Sequence, residues 1–177
     1  MYMLKLYRAL LSLPIISLRT GGTIGKTLQP LINPNNLKIE AWYCNSVFTK
    51  NTLLLPAEDI REISKIGVAV NDQDSLTEPD DLIRLKQVAS IQFDPIGKSV
   101  ITESGQKLGK VEDYAVDIDS MYIVNLYVAR RSIKSFTNQP LTVNRLQIVE
   151  ITDKKIIVKD IEVTQKLSAS APMPVNA

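Results

Sequence analysis

Thr20-Gly-Gly-Thr-Ile-Gly-Lys26 and Ser104-Gly-Gln-Lys-Leu-Gly-Lys110 stand 84 residues apart and share one pattern of small, β-forming and basic residues. Self-similarity at a fixed offset marks a duplicated structural unit, so this pair governs how the rest of the chain is read. The register continues without a gap from Thr20 to Tyr43 against Ser104 to Tyr127. Gly21/Gly105, Gly25/Gly109, Lys26/Lys110, Ile39/Ile123 and Tyr43/Tyr127 are identical, and with conservative pairs such as Asn33/Asp117 and Leu37/Met121, 11 of 24 positions are alike. Further on, Leu55–Ile60 lies over Leu141–Leu146 and Ile66–Asp72 over Lys154–Asp160, at offsets of 86 and 88 that small loop insertions explain. Two copies of a module of roughly 60 to 65 residues follow, joined by a segment from about Gln73 to Pro95.

Within each copy the residues favour short strands separated by turns. In the second, Ser99–Thr102 leads into Glu-Ser-Gly-Gln, a hairpin signal in which Gly105 is free to take a positive φ. Gly109 then opens a strand to about Asp117. Asp117-Ile-Asp-Ser120, and Asn33-Pro-Asn-Asn36 in the first copy, supply the next turn, because short carboxylate and amide side chains bond their own backbone. The strand after it is Leu37–Cys44 or Met121–Ala129, and β-branched runs at Val68–Val70 and Ile156–Val158 close each copy. Five or six short antiparallel strands in so few residues are too few for a sandwich, and curling into a barrel removes exposed edges. The expected fold is therefore mainly β: two tandem small antiparallel β-barrels joined by a short helical linker. That linker helix is expected to start at Thr77-Glu-Pro-Asp80 and to pack one apolar face, Leu82, Leu85, Val88 and Ala89, on a barrel.

The expected boundaries are an apolar leader over 1–12, the first repeat over 13–72, a linker over 73–95, the second repeat over 96–162 and a flexible tail over 163–177. The leader fails as a signal peptide, since Lys5 and Arg8 interrupt it and no small-residue cleavage site follows. The reading is a cytoplasmic protein whose leader packs onto the fold.

The repeated motif, a strand, Gly-x-x-x-Gly-Lys, a strand ending in Asn or Asp, a turn and an apolar strand, resembles the PRC-barrel family. That family is named from the cytoplasmic domain of the photosynthetic reaction-centre H subunit and occurs also at the C-terminus of a ribosome-maturation factor. Ser104–Asp113 carries the likeness most closely, while Pro30 and Thr142-Val-Asn-Arg145 depart from it. The resemblance implies an interaction or assembly module with no shared catalytic residues.

Composition agrees with that implication. The 177 residues are 45% hydrophobic and 23% charged, enough to bury a core. The chain has no His and a single Cys, so Ser-His-Asp, Cys-His and His-bearing zinc sites are excluded, as is a disulfide framework. Thr20–Thr27 imitates a phosphate loop, but the first Gly of Gly-x-x-x-x-Gly-Lys-Thr is Thr20, and Pro30 and Pro34 forbid the required helix. Asp72-x-Asp74 and Asp117-x-Asp119 are assigned to turns, because the calcium-loop Gly and closing Glu are missing after Asp72. Cys44 is assigned to packing. No catalytic, cofactor-binding or metal residue is expected, and no cofactor or small-molecule substrate.

Net charge is +2, yet two stretches lack acids: everything before Glu40, with Lys5, Arg8, Arg19, Lys26 and Lys38, and Ser120–Val149, with Arg130, Arg131, Lys134 and Arg145. The strand Met121–Val128 has only Asn125 as a polar residue, so both its faces are expected to be covered, the outer one by the other barrel or the linker helix. Leu37–Cys44 alternates, which leaves Trp42 either as an exposed aromatic anchor or as a residue covered by the leader. The candidate partner-binding residues are Trp42, Arg130, Arg131 and Lys134. The leading function is a non-enzymatic adaptor for a protein partner; the alternatives are an RNA- or ribosome-associated factor using the basic stretches, and a peripheral membrane scaffold using Met1–Leu13.

Overall fold

The computed structural model describes residues 3–130 and 140–160. In the first half the strands are β1 (Leu4–Leu6), β2 (Pro14–Ser17), β3 (Thr23–Asn33), β4 (Lys38–Ser46), β5 (Leu53–Pro56), β6 (Ile60–Ile63) and β7 (Val68–Val70). A six-residue helix, α1 (Lys86–Ile91), precedes β8 (Ser99–Thr102), β9 (Lys107–Asp117), β10 (Tyr122–Ala129), β11 (Leu141–Asn144), β12 (Ile148–Ile151) and β13 (Lys155–Val158).

Pairing runs β5-β4-β3-β2-β7-β6 in the first half, with β2 and β7 parallel and every other neighbour antiparallel. The second half repeats it strand for strand as β11-β10-β9-β8-β13-β12, again with one parallel pair, β8 and β13. The chain is mainly β, as expected. Closure is not found: among the described residues no ladder joins β5 to β6 or β11 to β12, because a 3₁₀ turn (Ala57–Asp59 or Arg145–Gln147) carries the chain directly from one to the other. All thirteen strands form one sheet, continuous through a contact between β4 and β10.

The second glycine that the two copies share, Gly25 or Gly109, has a steric cause. A Cβ on Gly25 would sit 2.2 Å from the Asn45 carbonyl oxygen, and one on Gly109 would sit 1.9 Å from that of Ala129, so the neighbouring strand reaches a distance no side chain permits. The turn motif behaves as read. Asn33 Oδ1 accepts from the Asn35 amide at 3.1 Å, and Asp117 Oδ1 from the Asp119 amide at 3.3 Å. Each turn ends on a residue with positive φ, Leu37 at 59° and Met121 at 60°.

A matched bulge overturns the expected phase of the long strands. Ile32 faces Ile39 and Leu31 faces Ala41, so Glu40 is an extra residue; Val116 faces Ile123 and Ala115 faces Asn125, so Val124 is its counterpart. An extra residue moves every later side chain to the opposite face. Trp42 therefore turns inward with Ile39 and Cys44, at 1% exposure, in the same core cluster as the leader's Leu10. It is a core residue and not the exposed anchor.

The linker also differs from expectation. Thr77 and Leu54 exchange backbone hydrogen bonds of 2.8 and 2.9 Å, which holds Thr77 in an extended bridge where a helix cap was expected. Only 3₁₀ turns at Pro79–Asp81 and Ile83–Leu85 precede α1. The apolar face nevertheless packs: Leu85, with Leu82, Val88 and Ala89, covers Leu31, Ala41 and Leu54 of the first copy. The covered outer strand face thus belongs to the first copy, whereas Tyr122, Val124 and Tyr127 on β10 remain half-buried.

The leader packs on the second copy. β1 pairs antiparallel with β9, Leu4 to Asp117 through Leu6 to Ala115, and Tyr7 stacks on Tyr114 with centroids 4.7 Å apart. Equivalent residues of the copies meet directly: the Ile39 amide donates to the Met121 carbonyl (2.8 Å) and the Ile123 amide to the Leu37 carbonyl (2.9 Å). The copies are therefore joined about an approximate twofold axis.

Candidate functional site

The residues expected to bind a partner do not assemble. Trp42 is in the core, with its indole Nε1 unpartnered. Arg130 is exposed immediately after β10, while Arg131, Lys134 and the expected tail 163–177 lie outside the described residues. The leader's cations are engaged within the fold. Lys5 Nζ donates to the Ser64 carbonyl at 3.0 Å, and Arg8 donates to the Glu112 carbonyl at 3.0 Å and sits 3.4 Å from the Asp113 carboxylate. The phosphate-loop imitation is a hairpin, with Gly25-Lys26-Thr27 inside β3. Asp72 Oδ1 accepts from the Asp74 amide at 3.0 Å and Ser120 Oγ donates to Asp117 at 2.7 Å, which is turn chemistry. Among the described residues no group of three His, Cys, Asp or Glu is placed to hold a metal. Burial pushes the Cys44 thiol up to about 12, and its Sγ faces the Leu53 carbonyl at 3.4 Å, so the nucleophilic thiolate is suppressed at neutral pH.

A surface the sequence reading missed lies where the copies join. The Pro34–Leu37 turn, Ile91 and Phe93 form one side of a cavity of about 780 Å³, and the corner from β11 to β12 forms the other. The corner is rigid for a stated reason: Asn144 caps it through the Leu146 amide at 3.0 Å, while Gln147 Oε1 accepts from the Asn144 amide at 2.8 Å. This capping holds Arg145 with its guanidinium over the Tyr122 ring, 4.4 Å from the centroid. Leu146 is 74% exposed and Val149 50%, beside Ile91 at 47%.

Superposing the 3₁₀ turns and the strands that follow sets Leu146 over Glu58 and Val149 over Arg61. The first copy is charged where the second is apolar. Desolvating an exposed leucine costs nothing comparable to desolvating a carboxylate, so the second copy's corner is the less costly of the two to remove from water. The signal was in the sequence, but only at an offset of 88; the offset of 86 used for this stretch pairs Leu146 with Ile60 and hides it.

Residues 92–165 match the family model of the PRC-barrel domain, the family whose motif the second copy resembles. The match spans 74 of the 177 residues and covers the second copy; the PRC-barrel is an interaction and assembly fold. No curated protein matches the chain. Among the described residues no helix is long and apolar enough to cross a membrane.

Proposed function

We propose that this protein is a non-enzymatic assembly module, an adaptor of two PRC-barrel-like repeats over 13–72 and 96–162 that docks a protein partner on the junction groove. The observation carrying this reading is the replacement of Glu58 and Arg61 of the first copy by exposed Leu146 and Val149 in the second. Arg145, held over Tyr122, supplies a preoriented cation and an aromatic ring beside the apolar pair, and Arg and Tyr are residue types enriched at binding hot spots. Support for a non-enzymatic role comes from the absence of any imidazole in the sequence and from the buried, protonated Cys44.

The test is capture from native lysate with the protein and with a Leu146→Glu/Val149→Arg variant that restores the first copy's charges. Both positions are at least half exposed, so the variant keeps its thermal midpoint while losing the captured partner. Retention of the same partner by the variant would overturn the groove assignment.

A further inference from the structure

The segment preceding each copy crosses to the other copy. The leader precedes β2 and packs on β9; the segment with α1 precedes β8 and packs on β3. The two crossings end differently. β1 adds itself to the edge of β9 at Ala115–Asp117, whereas α1 covers the outer face of β3 through Leu31 and stops short of its edge. The edge equivalent to Ala115–Asp117 is Leu31–Asn33, and it belongs to a stretch starting at Leu28 that carries no ladder: β2 reaches only Thr23–Lys26 of β3, and the Ser12 and Leu13 backbone bonds end at Thr27. Among the described residues no backbone bond joins Leu28–Ile32 to anything on that side. A groove of about 860 Å³ opens there, lined by Leu28, Pro30 and Ile32 of β3 together with Tyr7, Phe93 and Asp94.

We propose that this open edge of β3 is a strand-addition site for an extended peptide of alternating apolar and basic residues, contributed by a protein partner. It rests on the reading of the chain as an interaction module but not on the junction groove. An unpaired strand edge next to apolar walls takes a peptide backbone as its missing neighbour, with side chains on alternate positions entering the walls. The molecule holds its own example of the occupant. Leu4-Lys5-Leu6 fills the matching edge of β9, with the aromatic residue after it stacked on Tyr114, whose place in the first copy is taken by Pro30. Pro30 gives up one amide, as edge-strand prolines do, but keeps its carbonyl as an acceptor. Among the described residues Asp94 is the single charged side chain lining the groove, and its Oδ1 already accepts from the Ile96 amide at 2.9 Å, which fixes the carboxylate in place; this favours a cationic residue in the occupant.

The experiment uses the full chain and an acetylated, amidated peptide, Met-Leu-Lys-Leu-Tyr-Arg, that copies residues 3–8. Titration followed by amide chemical shifts is expected to move Leu28, Gln29, Leu31 and Ile32, with a change in the fluorescence of Trp42, which pairs with Pro30 across the ladder. A peptide with Pro in place of its Lys loses binding, and Asp94→Asn, which keeps the turn acceptor, weakens binding at least threefold. Gln29→Pro abolishes it; should that variant fail to fold, the Pro peptide on the unaltered protein still decides the question. Leu146→Glu/Val149→Arg binds the peptide unchanged, so loss of the lysate partner and loss of the peptide are separate results. No shifts at millimolar peptide, shifts centred on Ala115–Asp117, or undiminished binding of the Pro peptide would each overturn the proposal.

Discussion

The two copies share the pairing order of their six strands and differ in how each is covered. In the second copy an extended leader completes the edge of β9; in the first a helix covers the outer face of β3 and leaves the edge open. The corner after the fourth strand differs too, with Glu58 and Arg61 in one copy and Leu146 and Val149 in the other. The two copies thus keep the glycines and turn residues that shape the backbone and differ in residues exposed at the corner. The comparison can be broken at several positions.

The largest effect is expected from the shared glycines. Gly109→Ala meets a carbonyl oxygen at 1.9 Å and also has to hold φ near 144°, so a loss above about 4 kcal/mol or failure to fold is expected. Gly25→Ala meets the matching carbonyl at 2.2 Å without that dihedral strain and loses about 1–3 kcal/mol less. Denaturant unfolding of both variants checks the order; equal losses would show that the copies are loaded alike at this point.

Next come the paired core residues Trp42 and Leu126. Trp42→Ala is expected to cost about 3–5 kcal/mol and Leu126→Ala about 2–5. Trp42→Phe loses less than half as much as Trp42→Ala, since the indole Nε1 it removes has no partner to orphan. A freely tolerated Trp42→Ala would contradict the inward phase set by the bulge.

Removing residues 1–6 makes the edge of β9 as open as that of β3. A loss of about 1–3 kcal/mol and concentration-dependent self-association by light scattering are expected, because a second unpaired edge recruits other chains. A truncated protein that stays monomeric and equally stable would show that β1 is dispensable cover.

Cys44→Val copies Val128 of the second copy and is expected to shift stability by less than about 1.5 kcal/mol. The folded thiol titrates at about 12, above its ordinary 9.0, so the protonated form is the one the fold favours. Its contribution is complete below pH 9 and is lost as pH rises from 9 toward 12. Cys44→Val removes that alkaline component, which unfolding at pH 7 and pH 10.5 measures.

Legibility in the sequence followed locality. The turn at Asn33 and Asp117 and the hairpin at Gly105 were readable because each depends on residues a few positions apart, and the repeat because residue identities recur at a fixed offset. The face of Trp42 was not, since a bulge at Glu40 leaves no composition signal and reverses the alternation downstream. The helix was overextended because Thr77 bonds Leu54, a competition between local capping and a distant strand that no local window contains. Of the candidate site, Arg130 is exposed, while the exposed Leu146 and Val149 were not singled out by the sequence, because the offset of 86 does not set them against Glu58 and Arg61.

By itself the sequence determined a mainly β chain with two matching sets of glycines and turns and no imidazole, because these follow from residue identity and spacing. Tertiary structure decided which strand edge is filled, which face the helix takes and where the copies touch. Those outcomes are competitions among distant segments for the same backbone donors and apolar surface, and the winner is set only when all of them are packed together.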